Sequence, residues 1–555
     1  MTMKRIIIIS IIAAFAFISC SLEEPLKGYS EGHESFRTEL QCDAALRGTY
    51  TPLHYIYNLQ FFFATEACTD IWSSNSSDQN AQLDITPAKS GVGETVWKYA
   101  YKGVERANEC VEGISASPLK NDVKLPLVAE AKVMRALYYY ILTSFFGDVP
   151  YYTHSVPTID KIDSVRYLPR KPAFEIRDAL CKELREVAIP YFNEENGLKC
   201  RSNQVKDQHA GYALGLMLIA KMAMWNEDWQ AAVDALEMLE EVYGEFNEAN
   251  YPLKDIWWRN NNIDESIFEI QHSWSPDGAK FYGALAQVLT PKCSGDYIYD
   301  GVYLPHLSKY GTSSSPVRAT KHYALFRSAN NSQTPNSANA QAIFSAMPMK
   351  FTNETYPNGT AKRYCGVIDL NAMATGKTEL DGVVDRRTIY TFGMGNIETG
   401  ETFDAIKKGG MFYGGEKFWC PDMVANYDSN NYRLFRYADA VLMMSESLCR
   451  LGHAKKAVAY LDLVRARAGL DSYLPEYISE ADMIKEIQNE RARELGGEMH
   501  RKFDLVRWGI WYDQTLQFNE EARVKSNIRE CHEYYPIPDT ECALSGGVLN
   551  NEAYL

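Results

Sequence analysis

Beyond its first nineteen residues the 555-residue chain has no uncharged apolar run that reaches the roughly 20 residues a helix needs to cross a bilayer. That absence excludes a helical membrane protein built from several spans. Positive charge is in deficit as well: 57 Lys and Arg stand against 72 Asp and Glu, a net charge of −15. A nucleic-acid partner is excluded on this ground, since a phosphate backbone needs a basic surface to displace its counterions. The same balance disfavours adhesion to anionic lipid.

Catalytic and metal-binding signatures are missing too. The twelve cysteines include no CxxC pair and no CxxC…HxxxH pattern, which removes zinc-finger and thioredoxin chemistry. Apart from Cys20 they number eleven, an odd count that leaves at least one thiol unable to pair within the chain. Most are read as free, buried, small apolar side chains, although export would permit disulfides. The chain has no HExxH, no GxSxG and no GxxxxGK[ST]; Gly393-Met394-Gly395 belongs to no GxGxxG. No compact acidic calcium loop is present, so neither a metal nor another cofactor is expected. A glycosidase needs only two suitably spaced carboxylates, which 72 acidic residues can supply, so a secreted hydrolase stays open as an alternative.

What the chain does have begins at its N-terminus. Lys4-Arg5 precede an apolar segment, Ile6 to Ile18, that is too short to span a bilayer and fits a secretory signal. Ser19-Cys20 closes it, and Glu23-Glu24 follow almost at once. This reads as a signal over residues 1–19, a lipidated Cys20 and a polar tether over residues 20–34. Several acyl chains on one cysteine would anchor firmly where a single chain binds only marginally. An ordinary cleaved signal with a chance cysteine is the alternative.

Residues 35–243 carry mostly helical periodicity, with amphipathic runs at Glu39–Tyr50, Val96–Ile114, Ala129–Phe146 and Pro172–Ala188. Gly147 followed by Pro150 predicts a hard stop for the third. Within Tyr212–Leu239 the spacing Ile219-Ala220-x-x-Ala223, then Ala232-x-x-x-Leu236-x-x-Leu239, follows a tetratricopeptide pattern. Met444-Ser445-x-x-Leu448, then Ala457-x-x-x-Leu461-x-x-Val464, repeats the same offsets, with Gly452 in the turn. Repeats bury their faces only by stacking, so the two hairpins are expected to join one scaffold; agreement by chance in any helical hairpin is the alternative. Residues 244–427 are loop-rich, with a strand candidate at Ser266–His272, and residues 428–555 return to helix. The expected fold is mainly α: tetratricopeptide-like helical hairpins carrying a loop-rich region with a few short strands.

The C-terminal third holds Asn431-Tyr432-Arg433-Leu434-Phe435-Arg436-Tyr437-Ala438-Asp439, Asn489-Glu490-Arg491-Ala492-Arg493-Glu494-Leu495, Arg501-Lys502-Phe503-Asp504-Leu505-Val506-Arg507-Trp508-Gly509 and Tyr535-Pro536-Ile537-Pro538. The N-terminal half holds Ala136-Leu137-Tyr138-Tyr139 and Phe145-Phe146-Gly147-Asp148-Val149-Pro150. Together these resemble the SusD/RagB family of surface lipoproteins of Bacteroidetes, and Glu23-Glu24 behind Cys20 resembles the family's outer-surface sorting signal. The resemblance implies a nutrient-capturing lid, usually for oligosaccharides, on a TonB-dependent outer-membrane barrel of the SusC type. It also implies a lipid anchor on the outer face of the outer membrane, no cofactor and no bond-making chemistry. Cargo of peptide or another nutrient fits the same transport role.

Two readings concern particular side chains. Arg433, Asp439, Glu490, Arg493, Glu494, Asp504 and Arg507 mix both signs at helical spacings and are expected to form buried ion pairs, not a catalytic site. A sugar site needs an aromatic face for the C–H side of a pyranose and planar polar groups for its hydroxyls. Trp72, Asn75, Asp78 and Gln79 in Asp70–Asn80, Trp274 just past the strand candidate, and Tyr297 and Tyr299 offer that chemistry. Trp72 packed back on a helix is the alternative for the first group. Trp97 and the pair Trp257-Trp258 are assigned to packing.

Overall fold

The computed structural model describes residues 35–156, 159–256, 260–274 and 280–289, short segments between 297 and 427, and residues 429–470, 472–473 and 479–555. Cys20, the signal, the tether and Trp257-Trp258 lie outside the described residues.

Helix α1 (Glu39–Ile56) starts at Thr38, whose hydroxyl accepts the Gln41 N–H while the Gln41 side chain accepts the Thr38 N–H, a reciprocal capping box. Helices α2 (Val92–Ser115) and α3 (Asn121–Phe146) pack on α1 and on each other. Gly103 makes their approach possible, since a Cβ there would lie 2.3 Å from the Tyr138 ring. The Tyr138 hydroxyl donates to the Thr49 carbonyl and so ties α3 to α1. Helix α3 begins eight residues earlier than the periodicity predicts, running through Pro126, and stops at Gly147 with φ +72°.

Two helical hairpins form where the tetratricopeptide offsets place them. Helices α5 (Tyr212–Trp225) and α6 (Trp229–Tyr243) follow the shorter α4 (Ala173–Glu183). Asp228 caps α6 by accepting the Ala231 N–H. Far along the chain, α7 (Tyr437–Arg450) and α8 (Ala454–Arg467) turn at Gly452 with φ +78°. The small Ser445 lets these two approach, and its hydroxyl donates to the Ala457 carbonyl at 2.7 Å. Helix α7 lies against α6, so the hairpins stack. Tyr460 donates to Glu240 at 2.6 Å across that junction. Helices α9 (Glu480–Leu495), α10 (Arg501–Arg507) and α11 (Trp511–Phe518) complete the C-terminal part. One hydrophobic core runs from Leu53 through Tyr138, Leu216 and Leu442 to Leu549. No helix among the described residues is long and apolar enough to cross a membrane.

Strands are short: β1 (Trp72–Ser74), β2 (Ser266–Ile270), β3 (Ser273–Trp274), β4 (Lys280–Phe281), β5 (Tyr297–Tyr299), β6 (Val302–Leu304), β7 (Val317–Ala319), β8 (Met349–Thr355), β9 (Ala361–Cys365), β10 (Phe392–Gly393), β11 (Tyr413–Gly414) and β12 (Tyr432–Arg436). They pair as β1–β7, β2–β12, β3–β4 and β10–β11, with a four-stranded sheet in the order β6-β5-β9-β8. Pairing is antiparallel except between β5 and β9.

The charged C-terminal motifs form buried ion pairs. Glu494 receives Arg436 at 2.6 Å, Arg467 at 2.5 Å and Arg387 at 2.8 Å. Arg387 also meets Glu490 at 2.7 Å, and Arg436 and Arg467 share Glu265 at 2.7 and 2.6 Å. Arg493 binds Glu490 at 2.8 Å. A second group joins Asp439 to Lys221 at 2.7 Å and to Arg491 at 2.8 Å, Arg491 to Asp504 at 2.8 Å, and Arg507 to Glu446 at 2.7 Å. Burial pushes the Glu490 carboxyl up, but Arg387, Arg493 and Arg465 outweigh it and hold the group at about 2. Since Arg387 and Lys417 come from the loop-rich region and their partners lie on and just after α9, these pairs clamp that region to the helical scaffold.

Candidate functional site

The pairing of β2 with β12 brings together two Asn-rich stretches far apart in sequence, Asn260–Asn262 and Asn430-Asn431. Glu269 is the buried hub between them. Its carboxylate accepts from the Asn262 N–H at 2.8 Å, the Asn431 amide at 2.9 Å and Arg433 Nε at 3.2 Å. The Gln271 and Asn262 amides exchange hydrogen bonds at 2.8 and 2.9 Å, and Asn431 Oδ1 accepts the His272 N–H at 2.8 Å. Arg433 donates onward to the carbonyls of Ile256 and Asn260. A rigid array of planar amides therefore stands at the seam where the loop-rich region meets the scaffold.

Two clefts open along this seam. The first, about 80 Å³, has Tyr57, Leu285, Phe418 and Tyr432 as apolar walls and Lys417 and Asn431 among its polar groups. The second, about 410 Å³, is lined by Asn203, Asn250, Tyr251, Asp255 and Asn260–Asn262. Backbone geometry sets the floor of the first. Gly497 has φ +86°, and a Cβ there would lie 2.3 Å from the Phe418 ring. The buried Glu66 carboxylate holds that turn by accepting the N–H groups of Gly497, His500 and Arg501 at 3.2, 3.0 and 3.3 Å.

From Tyr432 in the wall of the first cleft, a chain of ring contacts leads through His272 and His54 to Phe281. Tyr432 meets the His272 ring edge-on at 4.4 Å, and its hydroxyl accepts the Ala284 N–H at 2.7 Å. Phe281 stacks on His54 at 4.5 Å, and Tyr282 sits 3.9 Å from Tyr427. Phe281 and Tyr282 are 44% and 40% exposed, enough to offer ring area to a ligand. Burial pushes His272 and His54 down to about 4, so both are neutral at ordinary pH. His272 Nδ1 faces the Asn430 carbonyl at 2.8 Å and must be the protonated nitrogen. Its Nε2, like Nδ1 of His54, meets no hydrogen-bond partner among the described residues. The seam thus combines exposed ring faces with ordered amides, groups that recognise polyhydroxylated rings. Among the described residues, no group of three His, Cys, Asp or Glu side chains could hold a metal ion.

The structure corrects the expectation for Trp72. Its side chain is fully buried in β1, edge-on to Tyr323 at 5.9 Å and to Phe418 at 5.8 Å. It therefore backs the cleft wall and offers no face to a sugar. The polar residues after it signal a surface loop, but β1 pairs with β7 from about 245 residues away, which covers the ring. Asn75 is exposed just past β1. Asp78 is half-buried and spends Oδ1 on the N–H groups of Asn80 and Ala81, at 2.8 and 3.2 Å, in a local turn. Gln79 is half-buried in the same turn. Trp274 lies in β3, paired with Lys280, which puts it in the hairpin that carries Phe281. Tyr297 and Tyr299 lie in β5 opposite Leu304 and Val302. Trp97 is buried against Phe146 at 5.1 Å, as expected of a core residue. The ring residues His54, Phe281, Tyr282, Tyr427 and Tyr432 were not anticipated as a site; the Asn260–Asn262 run is a sequence signal that could have drawn attention to the seam.

Comparison with known proteins agrees at both ends of the chain. Residues 421–554 match the family described as the SusD family, and residues 31–167 match the one described as starch-binding associating with outer membrane. SusD-like protein P25 of Formosa agariphila is 24% identical over 99% of this chain and 98% of its own length. SusD-like protein P2 of the same organism is 22% identical over 91% of each. Among solved structures, a SusD homolog from Bacteroides thetaiotaomicron superposes with a TM-score of 0.66 at 18% identity, covering 93% of this chain and 97% of that one. Surface glycan-binding protein A from the same organism, in complex with laminarihexaose, gives 0.61 at 20% identity, covering 92% and 98%. At such identities the superpositions establish the fold.

Proposed function

Because this chain belongs to the SusD/RagB family, we propose that it is a non-catalytic glycan-binding lipoprotein of the outer membrane, capturing an oligosaccharide and passing it to a SusC-type TonB-dependent barrel. The observation that carries the binding half is the seam itself, where Phe281 and Tyr282 present exposed rings beside a fixed array of Asn, Gln and His side chains. Aromatic faces and preorganised amides hold a sugar without moving electrons or protons in it. Trp274, Tyr297, Tyr299, Asn75, Asp78 and Gln79 remain proposed contributors. An acyl anchor on Cys20 would keep the molecule at the outer face, and loss of labelled palmitate uptake in Cys20→Ala is the check.

Calorimetric titration of residues 21–555 against plant and host glycans, with each mixture analysed for cleavage, tests the reading. Saturable binding of intact ligand that weakens in Phe281→Ala and Tyr282→Ala is expected. Cleaved ligand would turn the assignment to a hydrolase. Silence across the glycans with binding of peptides would turn it to peptide cargo.

A further inference from the structure

Away from the seam, α1, α3 and residues 196–209 enclose a cleft of about 670 Å³ that shares no residue with the two clefts described above. Glu39, Asp43 and Arg47 recur every four residues, so they share the face of α1 that forms one wall. Leu127 and Glu130, three apart on α3, form another.

Glu130 is only 5% exposed. Its Oε1 accepts the Tyr50 hydroxyl at 2.5 Å and faces His209 Nδ1 at 2.8 Å. Its Oε2 takes no partner among the described residues and yet is not sealed from solvent, so the cleft that Glu130 lines is where this oxygen opens. A half-used carboxylate at such depth carries a desolvation cost that contacts within the fold do not return. Tyr50 and His209 do not require it, since a glutamine carbonyl would accept from both. The spare oxygen is placed for a cation from outside the chain.

A second open carboxylate stands at the mouth. Glu39 is exposed and has no ion pair among the described residues, whereas Asp43 and Asp207 are both engaged by Arg47 at 2.8 Å. His209 ties Glu130 to Asp43, with Nε2 3.2 Å from the Asp43 carboxylate, and Glu39 is one helical turn from Asp43, so the open carboxylates lie on the order of 10 Å apart. Leu40, 77% exposed, lines the same cleft with Leu127 and Leu198. That apolar lining favours an aliphatic ammonium over a bare metal ion, for which no group of three His, Cys, Asp or Glu side chains is placed among the described residues. A five-carbon diammonium, on the order of 7 Å between its nitrogens with about 2.8 Å of hydrogen bond at each end, bridges the gap.

We propose that this cleft binds a linear aliphatic diammonium, one nitrogen on Glu130 Oε2, the other on Glu39, and the methylene chain along Leu40 and Leu127. The site is separate from the seam and stands or falls without it.

1,5-Diaminopentane and pentylamine, titrated calorimetrically at low ionic strength into residues 21–555, provide the test. The diamine should bind more tightly than the monoamine. Glu130→Gln, which keeps the carbonyl that Tyr50 and His209 use, should weaken both amines by about tenfold. Glu39→Gln should weaken the diamine by about two- to fivefold and leave the monoamine unchanged. Lys206 lines the cleft without an ion pair among the described residues, so Lys206→Gln should tighten both amines. Glu94→Gln, an exposed first-turn carboxylate on α2 outside this cleft, should change nothing. No heat with either amine in a chain that melts cooperatively, or unchanged affinity in a Glu130→Gln protein that melts like the parent, overturns the site. Equal affinity for the two amines with Glu39→Gln silent overturns the bridging ligand. Where Glu130→Gln melts early, the two exposed variants decide: opposite shifts in Glu39→Gln and Lys206→Gln support the site, and no shift in either overturns it.

Discussion

Replacing Glu494 by Gln removes one charge from the centre of the buried network and keeps the volume. In the native chain, Oε1 of Glu494 takes Arg436 at 2.6 Å and Arg467 at 2.5 Å, and Oε2 takes Arg387 at 2.8 Å. A glutamine can present one carbonyl oxygen, but its amide nitrogen must then face a guanidinium, donor against donor. At least one charge-assisted hydrogen bond is lost and a buried cation loses part of its compensation, which together cost about 3–5 kcal/mol. The other carboxylates, Glu265, Glu490 and Glu498, keep the figure from rising further. Equilibrium urea unfolding followed by fluorescence of the ten tryptophans measures it. Arg387→Met in the same chain should cost less on the Glu494→Gln background than alone, since both partners of one pair are then gone. Glycan affinity at zero denaturant should be unchanged. A stability loss under about 1 kcal/mol, or a loss of binding with stability intact, would refute the view that these motifs serve only to hold the scaffold together.

Trp72→Ala should lower stability by about 3–5 kcal/mol, because it empties a fully buried site, and urea unfolding separates that outcome from a simple binding defect. Gly497→Ala puts a Cβ at φ +86° and against Phe418; about 2–4 kcal/mol of destabilisation and weaker glycan binding are expected by the same assay and by calorimetry. His209 meets Glu130 at 2.8 Å and Asp43 at 3.2 Å through its two ring nitrogens, an arrangement that suits the doubly protonated ring. The hydrogen bond to Glu130 raises its pKa above the ordinary value of 6.5 despite partial burial, with the Asp43 charge adding to the rise. Its contribution is therefore fully present below about pH 6.5 and fades as pH climbs through the raised folded value. Melting temperature should fall over that rise in the parent chain and fall less in His209→Gln; identical pH profiles would count against the bridge.

Much of the scaffold is legible in the sequence because its signals are local. The stop at Gly147 and the turn at Gly452 need only the left-handed conformations those glycines adopt, and the hairpin offsets need only helical periodicity and a small residue such as Ser445. The charge pattern from Arg433 to Arg507 announces buried pairs, because charges of both signs on helix faces in a scaffold must be compensated. The partners themselves are another matter: Arg387 finding Glu490 and Glu494, or Lys221 finding Asp439, depends on segments that meet only in the folded chain. The site shows the same division more sharply. Trp72 reads as a surface ring because its neighbours are polar, yet β1 pairs with β7 and Phe418 closes over it. Phe281 carries no local mark of a binding surface; the β3–β4 hairpin brings it onto His54 at the end of α1. Helix ends, periodicity and the charge code are short-range properties that can be read along the chain. Which faces are covered and which stay open was decided by long-range strand and helix contacts, because burial depends on what the rest of the chain places beside a residue.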